Sequence, residues 1–179
     1  MDGIIGHSFG GKVALCYGVL ARKRKVWVLD SPPGGQSISQ RGEAQMMLQS
    51  LKNIPLPLKN RKEVATYLLQ QGFPPMVSQW MTTNVKPSTK GYVWKFDLAG
   101  IECLLADYFQ QDYWPVLEHP SEGLDIHLVR AANSDRWQPT QISRLSRLTK
   151  TKVYVLPNAG HWLHVDNPDG MLDLLIKGL

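Results

Sequence analysis

Gly6-His7-Ser8-Phe9-Gly10 sets a serine between glycines two residues before and two residues after it. Apolar Ile4-Ile5 precede the segment, and a helix-compatible run follows from Gly10 to Leu20. In that context the G-x-S-x-G spacing predicts a strand, a sharp turn and a helix, with the serine hydroxyl exposed on the turn. The serine backbone is strained there, and both glycines are expected to relieve clashes where strand and helix approach. The N–H of Phe9 then points to where an oxyanion would form, assisted by the helix N-terminus.

The rest of the chain returns to this strand-and-helix rhythm. Val26-Trp27-Val28-Leu29 is a short buried strand, closed by Asp30-Ser31-Pro32-Pro33-Gly34-Gly35. Asp125–Arg130 and Lys152–Leu156 read as further strands, and Pro139–Leu148 as a helix. A last helix starts with Asn167 as N-cap and Pro168 at its first position. Alternating strands and helices imply an α/β chain with a mainly parallel sheet. Between them, residues 36–120 carry helix-like segments near 40–51, 61–71, 74–82 and 97–111, separated by Pro-rich breaks, with an extended segment at 91–96. This block reads as a helical insertion within a single domain spanning 1–179. The 179 residues suffice for one domain with a sizeable core.

A serine nucleophile needs a base. Leu156-Pro157-Asn158-Ala159-Gly160-His161-Trp162 puts His161 just after the last strand, where a loop reaches the carboxyl edge of the sheet. His164 lies further along as a second choice. His7 is expected to support the turn, and His119 and His127 to be ordinary surface or strand histidines. A carboxylate must orient the imidazole. Asp30 and Asp135 both end strands on the correct edge, and the residues alone do not choose between them. Asp166 and Asp169 read as capping groups at a helix entry.

The elbow Gly-His-Ser-Phe-Gly-Gly-Lys, the segment Leu-Val-Arg-Ala-Ala-Asn-Ser-Asp and the segment Asn-Ala-Gly-His-Trp-Leu-His-Val-Asp-Asn-Pro together resemble the α/β-hydrolase superfamily. The resemblance runs through nearly all of the chain, with the helical middle matching a lid insertion. It is more narrowly similar to an esterase and acyl-hydrolase branch whose elbow is followed by Lys and whose end carries Gly-His-Trp-x-His. The resemblance implies Ser8 as nucleophile, His161 as base and the Phe9 N–H in an oxyanion hole. The usual family layout favours Asp135 as the acid. Some members of the similar branch instead match Asp30, with a serine equivalent to Ser134 assisting.

Family members normally place four or more strands before the elbow, whereas Ser8 is the eighth residue here. The resemblance therefore implies an N-terminally truncated α/β-hydrolase fold, lacking one oxyanion N–H. Its exposed sheet edge would be open to a partner or to self-association. The expected activity is serine-type hydrolysis of a small-molecule acyl ester, with Trp80, Trp94, Tyr108, Phe109, Tyr113 and Trp114 lining an apolar entrance. The alternatives are a catalytically inactive fragment and a ligand-binding protein of the same fold.

Other classes find little support. A hydrophobic fraction of 43% and a charged fraction of 20% are ordinary for a globular chain. The net charge of +5 raises the question of nucleic acid, but the basic residues are scattered apart from Arg22-Lys23-Arg24-Lys25. That run reads as a solvated helix end, and no nucleic-acid partner is expected. Cys16 and Cys103 read as buried free thiols. His161 and His164 lie three apart without the carboxylate context of a zinc site, so neither metal nor organic cofactor is expected. No apolar run approaches the ~18 residues of a membrane span, and no signal peptide is visible. As written the chain is expected to be cytoplasmic, whereas a longer parent form could be organellar.

Overall fold

The computed structural model describes residues 3–21, 25–35 and 42–178. The chain divides into two compact units, one formed by residues 1–35 and 110–179 and the other by 36–109.

In the first unit, four strands lie in the order β1 (Gly3–His7), β2 (Lys25–Leu29), β5 (Asp125–Ala131) and β6 (Lys152–Leu156), all parallel. Parallel strands covered on both faces are buried on both, which is why β2 carries the apolar run Val26–Leu29 and why Ile126, Leu128 and Val129 of β5 are fully buried. Alternate residues serve opposite faces. Val26, Val28, Ile126 and Leu128 enter one core with Ala14 and Leu15 of α1 (Phe9–Ala21). Trp114 and Leu117 of α6 (Trp114–Glu118) and Leu145 of α7 (Pro139–Leu145) complete it. Trp27, Leu29 and Val129 face the other way, onto Leu163 of α8 (Leu163–Asp166) and Met171 of α9 (Pro168–Lys177).

The helix starts follow local chemistry. Pro139 and Pro168 occupy first-turn positions, where the missing N–H is no loss. The Asn167 side chain accepts the Gly170 N–H at 3.0 Å, as expected of an N-cap. Asp166 does not cap this helix; its carboxylate accepts the Gly160 N–H at 2.8 Å, inside the loop after β6.

The second unit has its own core of Leu51, Ile54, Leu58, Val64, Leu68, Met81, Val85 and Trp94. It comprises α2 (Gly42–Asn53), α3 (Lys62–Gln70), α4 (Pro75–Met81) and a 3-10 turn at Thr82–Asn84. An antiparallel hairpin of β3 (Val85–Ser88) and β4 (Gly91–Trp94) follows, and then α5 (Leu98–Gln110). The sequence signalled β4 but not β3, whose Lys86-Pro87-Ser88 is exposed and carries no alternating pattern. The helical block foreseen at 36–120 overruns this unit. Residues from Gln110 onward belong to the first, where buried Trp114 and Leu117 join the sheet core.

Cys16 and Cys103 are free thiols, but only Cys16 is partly buried; Cys103 is exposed on α5. Arg22–Arg24 lie outside the described residues, while Lys25 opens β2 and donates to the Gly178 carbonyl. No helix among the described residues is long and apolar enough to cross a membrane.

Candidate active site

The elbow forms where β1 meets α1. Ser8 has φ of 54°, the left-handed region that costs an L-residue energy, and the turn is pinned at both ends. The Ser8 N–H donates to the Leu29 carbonyl at 3.0 Å, and the Gly11 N–H to the Ser8 carbonyl at 2.9 Å. The glycines do not share the steric task as expected. A Cβ on Gly6 would lie 1.8 Å from the Gly10 carbonyl oxygen, and one on Gly11 would lie 2.4 Å from the Ser31 Cβ. A Cβ on Gly10 would meet nothing within 4 Å. The close approach therefore falls on Gly6 and Gly11, because the Gly10 backbone itself fills the space beside Gly6.

β2 lies between β1 and β5, and Asp30 follows it directly, also at positive φ (44°). Its N–H continues the ladder to Val129 O at 2.7 Å. The Asp30 side chain is fully buried and accepts four hydrogen bonds. Oδ1 takes the Ala131 N–H (3.0 Å) and the Trp137 indole N–H (2.8 Å). Oδ2 takes the Ser134 hydroxyl (2.6 Å) and the His161 Nδ1–H (2.9 Å). Burial pushes the Asp30 carboxyl up, but the bonds from His161, Ser134, Ala131 and Trp137 outweigh it and hold the group below the ordinary aspartate range.

His161 completes the row. With Nδ1–H donated to Asp30, its Nε2 is left to accept the Ser8 hydroxyl at 3.1 Å. The loop carrying it is anchored by Asn133 N–H to Ala159 O (2.9 Å) and by Asn167 Nδ2–H to Pro157 O (2.9 Å). Ser8, His161 and Asp30 thus form one continuous hydrogen-bonded line, assembled from the ends of three different elements.

Of the two acids left open by the residues, the structure brings Asp30 to His161. Asp135 is exposed and pairs with Arg136 at 3.3 Å. The turn after β5 explains the difference: Ser134 and Trp137 face Asp30, which leaves Asp135 between them facing solvent. Phe9 is the first residue of α1, so its N–H sits at the positive end of the helix beside Ser8. His164 is exposed and meets the edge of the His7 ring, 5.2 Å between centroids. Trp137 carried no sequence signal, since its role depends on a contact 107 residues away. Lys12 was legible only as part of the motif. Its buried ammonium donates to the carbonyls of Gly34 and Gln111, both at 2.8 Å, and Tyr113 N–H donates to Pro33 O at 2.9 Å. These bonds bring together the places where the chain leaves and re-enters the first unit.

His127 is not the ordinary strand histidine expected. It is fully buried, stacked on Trp27 with 4.2 Å between centroids. Its Nε2–H donates to Asp125 Oδ2 (3.0 Å), and its Nδ1 accepts the Tyr154 hydroxyl (3.1 Å).

Comparison with known proteins agrees with this architecture. Residues 3–174 match the Alpha/beta hydrolase family. The chain is 27% identical over 188 residues to the sn-1-specific diacylglycerol lipase ABHD11 of Mus musculus, covering 98% of this chain and 58% of that protein. Against the Danio rerio protein of the same name it is 25% identical, covering 98% of this chain and 56% of that one. The chain thus spans less than two thirds of the length of these curated relatives. Among solved structures, a marine microorganism esterase superposes with a TM-score of 0.83 at 24% identity, covering 99% of this chain and 69% of that one. An E-2-(acetamidomethylene)succinate hydrolase superposes with a TM-score of 0.69 at 18% identity, covering 98% and 65%. With the family match spanning nearly the whole sequence and the parallel sheet and elbow in place, the chain belongs to the α/β-hydrolase family.

Proposed function

We propose that this chain carries the machinery of a serine-type hydrolase of carboxylic esters or related acyl bonds. Ser8 is the nucleophile, His161 the general base and then acid, Asp30 the orienting carboxylate, and Phe9 N–H an oxyanion donor. The observation that carries this reading is the unbroken line Ser8 Oγ–His161–Asp30, with bonds of 3.1 and 2.9 Å.

In this reading Ser8 Oγ attacks the acyl carbon as its proton passes to His161 Nε2. The resulting imidazolium is stabilised by ionised Asp30, and Phe9 N–H faces the oxyanion. Collapse breaks the ester C–O bond, and the His161 proton leaves with the alcohol. Water then attacks the acyl-enzyme with His161 again as base, which returns the acid and free Ser8. Ser134 is a supporting residue, since its hydroxyl holds the Asp30 oxygen that also meets His161. Residues 36–109 are assigned the part of a lid by their place in the chain, between β2 and the return to the sheet unit. The name of the curated relatives, diacylglycerol lipase, makes a glycerolipid ester the first natural substrate class to try.

The test is labelling with a fluorophosphonate, which phosphonylates an activated serine. Labelling of this chain that disappears in Ser8→Ala and in His161→Ala is the expected result. Equal labelling of Ser8→Ala, or none of the wild-type chain, overturns the proposal.

A further inference from the structure

His7 sits at the end of β1, directly before Ser8, and its side chain crosses to the loop that carries His161. His7 Nε2 lies 2.8 Å from the His161 carbonyl oxygen, so the proton must be on His7 Nε2. The two imidazoles are 4.8 Å apart between centroids, and Trp162 lies 5.5 Å from His7 on the same side. Other ties hold this loop at Pro157, Ala159 and Gly160. The bond from His7 acts at His161 itself, the residue whose imidazole must stay between Ser8 and Asp30.

We propose that His7 is a positioning residue for His161: its Nε2–H fixes the backbone of the residue that bridges Ser8 and Asp30, so elbow and base move as one piece. This inference rests on the serine-hydrolase reading. A base within hydrogen-bond reach of its nucleophile tolerates little displacement, since a shift of about 1 Å costs on the order of 10²-fold in rate. β1 already fixes His7 through its ladder to Leu29, so a bond from its side chain transmits the position of the elbow across 154 residues of sequence.

Charge adds a second requirement. The groups facing His7 are His161, His164 and Asp30. Burial holds the His7 imidazole below the ordinary histidine range; the bond to the His161 carbonyl and the charge of Asp30 oppose that shift only in part. A neutral His7 donates the same bond without placing a second cation beside the His161 imidazolium.

The experiment compares wild type with His7→Leu, which removes the donor, and His7→Gln, whose side-chain amide nitrogen reaches about as far as Nε2. Fluorophosphonate labelling and turnover of a short-chain p-nitrophenyl ester give the rates, and thermal melts report folding. His7→Leu is expected to slow labelling and kcat by about 10- to 10²-fold, with KM little changed, and His7→Gln to restore most of the loss. If His7→Leu fails to melt cooperatively, His7→Asn takes its place, because its amide is too short to reach the carbonyl. A proton NMR spectrum supplies a readout independent of activity. The downfield resonance of His161 Nδ1–H shared with Asp30 should persist in His7→Gln and broaden or vanish in the variant without the donor. Wild-type rates and an intact resonance in His7→Leu overturn the positioning role, as does loss in His7→Gln equal to that in His7→Leu. Absence of labelling in the wild type overturns the hydrolase reading instead, and the resonance then decides the positioning role on its own.

Discussion

Asp30 is the buried group on which the hydrogen bonds of the candidate site converge. Its four hydrogen bonds come from a backbone amide, an indole, a hydroxyl and an imidazole, so the carboxylate is held in one orientation while ionised. Replacing it by Asn would present an amide where Nδ1–H needs an acceptor and would favour the wrong imidazole tautomer. Asp30→Asn should therefore lower the labelling rate by about 10⁴-fold, the order seen when a triad acid is amidated. Asp135→Asn should leave the rate unchanged, because its carboxylate is exposed and paired with Arg136 rather than with His161. Side-by-side labelling of the two variants checks both, and a loss confined to Asp135→Asn would reverse the assignment. Ser31 offers a test of a different kind. Its buried hydroxyl has no hydrogen-bond partner among the described residues, so Ser31→Ala should raise stability by about 1 kcal/mol in urea unfolding.

At the scale of elements, the elbow works because β1 and α1 approach more closely than a side chain allows. The approach is borne by Gly6, where an added methyl would overlap the Gly10 carbonyl, and by Gly11 against Ser31. Gly6→Ala should lower stability by about 1–3 kcal/mol or more, since the strand must move off the helix. Gly10→Ala meets open space in the first turn of α1, and removing a flexible residue there should raise stability by about 0.5–1 kcal/mol. Urea unfolding midpoints separate these outcomes, and equal losses in both variants would mean that the motif glycines share the steric load. Lys12, from the same helix, holds the two chain segments that flank residues 36–109. One helix thus follows the Ser8 turn and also ties together the two segments of the first unit that flank residues 36–109.

For the molecule as a whole, the buried cluster around His127 ties stability to pH. Burial lowers the His127 pKa, and the bond and charge of Asp125 only partly oppose it; Lys152 and Lys25 add to the lowering. A histidine whose folded pKa lies below its unfolded value, about 6.5, stabilises the fold fully above that value. The contribution falls as pH drops below it toward the folded pKa, because the unfolded chain then binds more protons. Melting temperature should accordingly decline between about pH 7 and pH 5, and His127→Gln should show a smaller decline. An equal slope in wild type and variant would remove His127 from the account. On the opposite face of the same strand Leu128 is fully buried in the core with Val28 and Ile126, so Leu128→Ala should cost about 2–5 kcal/mol, read from the same melts.

Local spacing determined much of this protein. The elbow pattern, the apolar run of β2, the prolines that open α7 and α9 and the Asn167 cap act within a few residues, and each was legible in the sequence. His161 was legible because its place after the last strand follows from strand order. Short-range rules fell silent where partners lie far apart. Asp30 and Asp135 both end strands, and only the turn after β5, which carries Ser134 and Trp137 to Asp30 across more than a hundred residues, separates them. His127 became buried because Asp125, Tyr154 and Trp27 converge on it from three strands. Periodicity and capping reside in neighbouring residues and survive in the sequence alone; which acid meets a histidine is decided by parallel strands aligned side by side, a relation that exists only once the sheet has formed.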